Sequence, residues 1–321
     1  MRVLVVYLLG SLLLCQVSLI HSKFVAAVVL PHGDEALDPT SLEPNTPARA
    51  AAQKIAEESR KAAAWFTEEN DFDVIFFSTP HGIQLTQDYG IYYGSHASGS
   101  INVSSETLEM PPITLAGDLS LDLTVKMTSI HAFPVSGIAT SADGSTDLPL
   151  EWAEIIPLML MPESKRHTYK YILWSYPLER YTESQKMVPE LISMGSYLRG
   201  WMEALPLRIG VVISGDMSHT HQATGPYGYS NASAPFDEAV ENWAFHPNKL
   251  SASLMSEAKY LQPRAMSCGF TGLVLLHGIL CSNDNWPPVD DGRVYVSRNA
   301  TYYGMMAATF AAPSSGGMGE S

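Results

Sequence analysis

Two Pro-His-Gly triplets and one Ser-His-Thr-His run are the parts of this sequence with the most chemistry to offer: Pro31-His32-Gly33, Pro80-His81-Gly82 and Ser218-His219-Thr220-His221. Imidazole is the commonest metal ligand and also titrates near neutrality, so grouped histidines suit metal binding or proton transfer. Each group directly follows a short apolar run, at 24–30, 74–77 and 207–213. Such runs read as buried strands, and proline and glycine then mark the places where the chain leaves the ladder. Glycine permits a tight turn, so each triplet presents its histidine just past a strand end. A lone histidine after a strand is usually a solvated loop residue, and Pro-His-Gly alone is a weak motif. Recurrence after three strands is what favours a metal or catalytic site. His96, His131, His167 and His246 fall in mixed segments, and His277 lies inside an apolar run where a hydrogen-bonded core role is the default.

The elements that must position these residues alternate. Helices are expected at 47–66, where proline opens an alanine-rich stretch, and at 184–202. A further strand is expected at 169–174. Residues 270–280 are apolar nearly all round and read as a core helix. The runs 294–297 and 303–310 are placed to close the sheet. This order predicts a single α/β domain over 23–312, with a mostly parallel central sheet and helices on both faces. In such sheets the carboxyl ends of the strands share one edge, where ligands bind. Residues 85–150, rich in Gly, Ser, Pro and Thr, fit poorly and are expected to form an insertion over that edge. Residues 313–321 read as a disordered tail.

The chain has 321 residues, 46% hydrophobic and 16% charged, with a formal charge of −14. That balance argues against nucleic-acid or anionic-membrane partners, which attract basic surfaces. Met1-Arg2 followed by an uncharged run from Val3 to Ile20 reads as a signal peptide over 1–22, with an uncleaved anchor as the alternative. No later run is long and apolar enough to span a bilayer. The expected destination is the secretory lumen or the extracellular space, with candidate glycans at the sequons of Asn102, Asn231 and Asn299. Outside the signal only Cys268 and Cys281 remain. A disulfide between them is the bland reading in an oxidising compartment. If 270–280 is helical, however, the two lie roughly 20 Å apart, and two free thiols are expected.

Five blocks carry a resemblance to a known family: AAVVLPHGDEALDP (26–39), FDVIFFSTPHG (72–82), VVISGDMSHTHQATGPYG (211–228), CGFTGLVLLHGIL (268–280) and TYYGMMAATF (301–310). They resemble, in order, the class III extradiol ring-cleavage dioxygenases, which include the catalytic subunit of protocatechuate 4,5-dioxygenase, within a superfamily that also contains the Memo-like proteins. The resemblance implies a non-haem Fe(II) held by two histidines and a carboxylate, with a small catecholic or phenolic substrate and O₂ as partners. His32 and His81 match the histidine ligands, and His219 matches the acid/base. His221 has no family role and either lines the pocket or substitutes for His219. The family's glutamate ligand is absent. Its place reads Met266-Ser267-Cys268-Gly269, so Cys268 is the matching position, as in the Memo-like branch. Asp216 also resembles the Memo-like pattern and could supply an oxygen ligand, and Asp34 is a further candidate beside His32. A thiolate would suit zinc or a differently tuned iron. A zinc hydrolase and a non-catalytic binding protein are therefore alternatives to the dioxygenase. Homo-oligomers are common in the family, and no interface is legible in this sequence.

Overall fold

Strands that are apolar on both sides must be sandwiched between helices. The computed structural model of the chain, which describes residues 23–104, 106–140 and 146–313, has that architecture. In chain order the elements begin with β1 (Phe24–Leu30), α1 (Asp34–Leu37), α2 (Pro47–Glu68) and β2 (Val74–Thr79). Next come β3 (Tyr89–Tyr92), β4 (His96–Val103), β5 (Glu106–Leu115), α3 (Gly117–Ser129), β6 (Val135–Ile138) and β7 (Leu148–Pro149). Then follow α4 (Trp152–Leu160), α5 (Glu163–Arg166), β8 (Lys170–Ser175), α6 (Val188–Ala204), β9 (Ile209–Ser214) and α7 (Ser233–Phe245). The chain closes with α8 (Lys259–Ala265), α9 (Phe270–Cys281), β10 (Arg293–Asn299) and β11 (Gly304–Ala311).

All the strands belong to one 11-stranded sheet, whose main path runs β10-β11-β1-β9-β2-β8-β5-β4-β7. Period-two alternation assigns its two faces. Ala27, Val29, Val74, Phe76, Val211 and Ile213 point into a core completed by α3, α6, α7 and α9. Ala26, Val28, Leu30, Ile75, Phe77 and Val212 point into the other, completed by α2 and α4. Helices thus cover both faces, as expected. Along the path β1-β9-β2-β8-β5 each strand is parallel to the next.

The expectation of a mostly parallel sheet needs correction, because the sheet is mixed. The β10–β11 hairpin runs antiparallel against β1, β4 runs antiparallel to β5, and β3 runs antiparallel to β8. Short connections, such as the one between Asn299 and Gly304, can return a strand only antiparallel, since a parallel return needs a crossover. The expected insertion at 85–150 is also built into the sheet rather than hung on it. Its five strands and α3 continue the sheet past β8, with β5 pairing the start of β8 and β3 its end. Strands β4 and β5 intersperse a few buried residues among many exposed ones, as an antiparallel flank with a wet face allows. Their polar composition disguises them as loop.

Helix α6 begins at Val188 with Pro189 in its first turn, later than the 184 expected, and residues 181–186 form a tighter 3₁₀ segment instead. Cys268 and Cys281 flank α9 and are both free thiols. The expected signal at 1–22 lies outside the described residues, as do 314–321 of the tail. Among the described residues no helix is long and apolar enough to cross a membrane.

Candidate metal centre

Strands β1, β2 and β9 end on the same edge of the sheet, and beyond them lie His32, His81 and the loop from Asp216 to His221. The structure brings His32, His81 and Cys268 together, with one ligand atom from each lying within 4.8 Å of the others. Asp216, His219 and Cys268 form a second such group, sharing the Cys268 sulfur. Both groups face a cavity of about 880 Å³.

Backbone contact sets this geometry. A Cβ on Gly215 would fall 2.5 Å from Gly269 Cα, and one on Gly269 would fall 2.9 Å from the Asp216 carbonyl oxygen. Two bare glycines let the β9 loop and the start of α9 touch. The Gly269 N–H then donates to Asp216 O at 2.9 Å, and the Asp216 N–H donates to Cys268 Sγ at 3.2 Å. The glycines of the Pro-His-Gly triplets work differently from the turn role their sequence suggests. Gly33 is extended, with φ −70° and ψ 143°, a conformation open to any residue. A Cβ there would strike the Tyr303 ring at 2.1 Å, and one on Gly82 would meet the Glu154 carboxyl at 2.5 Å. Both make room for side chains of the site's surroundings.

His32 is buried, and burial pushes its pKa down to about 3 with a further push from His219. The ring is therefore neutral, and its neighbours fix the tautomer. Ser214 Oγ donates to Ala153 O, so it accepts from His32 Nδ1 at 2.8 Å. That leaves the lone pair on Nε2, which lies 3.2 Å from Cys268 Sγ and 3.6 Å from Asp216 Oδ2. The His32 N–H also donates to Asp216 Oδ1 at 3.1 Å. A ring held through its other nitrogen, with its lone pair turned toward a sulfur and a carboxylate, is what a metal ligand requires. His81 is half-buried, lies edge-on to His32 at 5.2 Å between centroids, and stacks on Trp152 at 5.1 Å. Burial lowers its pKa to about 3, helped by His32 and His219.

Asp216 and Cys268 carry the opposite shifts. Burial raises the Asp216 carboxyl to about 7 and holds the Cys268 thiol well above its ordinary range. Neutral imidazoles beside acids whose charged forms burial disfavours are a donor set in want of positive charge. A divalent cation in that position would release the thiol and carboxyl protons and offset the desolvation. The residues present therefore fit a metal ion. They do not form the two-histidine, one-glutamate set, because sulfur stands in the third place.

His219 stands across the cavity. Its Nδ1 donates to the Met266 carbonyl oxygen at 2.6 Å, which leaves Nε2 as the atom able to accept a proton. Met266 is held in the left-handed region, with φ 57° and ψ 38°, as α8 ends. A non-glycine residue in that region is strained, and here the strain aims a carbonyl at the histidine. The rings of Tyr227, Tyr302 and Tyr303 surround His219 at 5.9–6.2 Å between centroids, and Tyr303 donates its hydroxyl hydrogen to buried Glu35.

Two sequence-level candidates stand elsewhere. His221 Nε2 pairs with Asp237 Oδ2 at 2.7 Å, while Asp237 Oδ1 accepts from the Ser218 N–H at 2.9 Å. His221 thereby ties the loop to α7 and is not among the cavity's lining residues. Asp34 lines the cavity at its exposed rim but belongs to neither ligand group. Trp152, Met266, Tyr303 and Glu35 escaped sequence reading. Tyr303 sits inside one of the five blocks quoted above, whereas nothing around Trp152 marks it.

No family model matches the chain, and no curated protein matches it. Among solved structures it is similar to the crystal structure of the uncharacterized protein JW3007 from Escherichia coli K12. The two share 15% identity over 89% of this chain and 99% of that one, with a TM-score of 0.52. At that identity the similarity concerns the fold alone.

Proposed function

We propose that this chain is a secreted, metal-dependent dioxygenase of the extradiol kind, using Fe(II) held by His32, His81 and Cys268 to act with O₂ on a small phenolic or catecholic compound. The observation that carries the proposal is the convergence of these three donors, within 4.8 Å of one another, on an aromatic-walled cavity that His219 also faces. The bound metal would supply the Lewis-acidic centre at which substrate oxygens and O₂ meet. His219, with Nδ1 committed to Met266 O, takes the substrate hydroxyl proton on Nε2 and returns it to a reduced oxygen. Asp216 orients His32 through its N–H and shares in balancing the ion's charge. The tyrosine wall excludes water and packs against an aromatic ring.

The sulfur of Cys268 favours a second reading, a zinc-dependent hydrolase on the same residues with Asp216 or His219 as base, because thiolate donors suit zinc. Secretion rests on the apolar run at 3–20; Asn102, Asn231 and Asn299 are exposed, as glycan acceptors in a secreted chain must be.

The test is elemental analysis of the anaerobically purified protein beside its His32→Ala/His81→Ala variant, followed by oxygen uptake with a catechol panel. Near-stoichiometric iron that the variant loses, with oxygen consumed, is the expected result. Zinc lost in the variant would move the assignment to the hydrolase. No metal in either protein, even after reconstitution with both ions, would sink both readings and leave a non-catalytic binding protein.

A further inference from the structure

The charge of the cavity wall bears on which aromatic compounds can enter. Among the described residues no lysine or arginine lines the cavity. The cationic residues that flank its lining segments in sequence are engaged elsewhere. Arg180 pairs with Glu190, Lys186 with Glu183 at 2.6 Å, and Arg264 lies over the exposed Tyr260 ring. Two carboxylates, by contrast, stand at the rim: Asp34 after β1, and Glu151 before α4. Both are exposed, and neither forms a salt bridge among the described residues. Between them, Trp152 stacks on His81, and Tyr227 and Tyr302 face His219 from the far side.

Organic carboxylates are held in protein sites by guanidinium or ammonium groups, and a carboxylate on a side chain at this rim would meet neither, only Asp34 and Glu151. An ammonium group would meet two carboxylates and the faces of aromatic rings, which attract cations. The field of a chain with a formal charge of −14 acts in the same direction.

We infer that the cavity selects phenolic or catecholic compounds bearing a cationic amine side chain and rejects their carboxylate counterparts, with Asp34 and Glu151 as the residues that read the charge. This rests on the metal-site reading above, in which the catechol oxygens would meet the ion held by His32, His81 and Cys268. The side chain of a para-substituted ring then extends toward the rim.

The experiment is calorimetric titration of the anaerobic, Fe(II)-loaded protein with three near-isosteric catechols: 4-(2-aminoethyl)catechol, neutral 4-ethylcatechol and 3,4-dihydroxyphenylacetate. The amine should bind about tenfold tighter than the neutral compound and the carboxylate about tenfold weaker, as one screened charge interaction on either side predicts. The spread should narrow as ionic strength rises. In the Asp34→Asn/Glu151→Gln variant the amine-to-carboxylate ratio should fall at least tenfold. Equal affinities for the three, or tightest binding of the carboxylate, would overturn charge selection while leaving catechol binding intact. An unchanged ratio in the double variant would overturn the assignment to these two residues. Binding by none of the three to protein that holds its metal would bring down the catechol reading and this inference together.

Discussion

At His219 the division of labour between two ring nitrogens decides what the residue can do. Met266 O holds Nδ1, so the proton that moves must move at Nε2. His219 stands in the second ligand group, yet His32, His81 and Cys268 make a complete trio without it. Replacing His219 by Asn should therefore leave the metal content of the protein unchanged and lower kcat by roughly 10²–10⁴, the usual worth of a positioned acid/base. Oxygen uptake and metal analysis on one preparation check both halves. A loss of metal in parallel with activity would make His219 a ligand instead. At this scale the sequence spoke clearly for His32, His81 and His219, because Pro and Gly punctuation marks strand ends. It said little about Cys268, which only a family resemblance singled out, and it suggested for His221 a pocket place that the ion pair with Asp237 denies it.

Helices α6 and α9 show how elements hold the site in position. They cross at two glycines: a Cβ on Gly195 would fall 2.4 Å from Leu275 O and 2.7 Å from Gly278 Cα. Both obstacles are backbone, so neither can swing aside as a side chain would. Gly195→Ala gains about 1 kcal/mol of helix propensity, but forcing the helices apart costs about 1–3 kcal/mol and moves α9, whose first turn follows Cys268. We expect a lower urea midpoint with an unchanged m-value, together with weaker metal retention. A variant as stable as the parent would mean that the helices separate freely. The sequence made α9 legible as a core helix because it is apolar on every side, and all of Phe270–Leu280 is buried. Strands β3 to β7 were illegible for the opposite reason. In β4 to β7 many residues face water, so their composition is that of a loop, while β3 is buried but only four residues long. Only pairing with β8 and with one another makes them strands.

For the whole molecule, acid stability depends on a histidine remote from the cavity. His277 is buried in α9, where it accepts from Trp243 Nε1 through Nδ1 at 3.1 Å. Burial lowers its pKa to about 4. Above pH 6.5 the folded and unfolded chains both hold a neutral ring, so this residue adds no pH dependence. Between pH 6.5 and 4 only the unfolded chain takes the proton, so stability falls as pH falls, by about 3 kcal/mol in all. Below pH 4 the ring is protonated in both states and its share of the decline stops, while His32 and His81, lowered to about 3, still contribute. His277→Gln should flatten this limb in denaturation curves collected from pH 7 to pH 4. An unaltered slope would place the acid sensitivity elsewhere.

The sequence by itself determined the apolar strands and helices, both glycine-bounded histidine triplets, and a formal charge of −14. These follow from local rules of periodicity, punctuation and charge. The tertiary structure alone decided that the sheet is mixed, that Cys268 Sγ stands 3.2 Å from His32 Nε2, and that no lysine or arginine among the described residues lines the cavity. Each of those depends on segments far apart in the chain, which meet only after the sheet has paired and the two cores have closed on its faces.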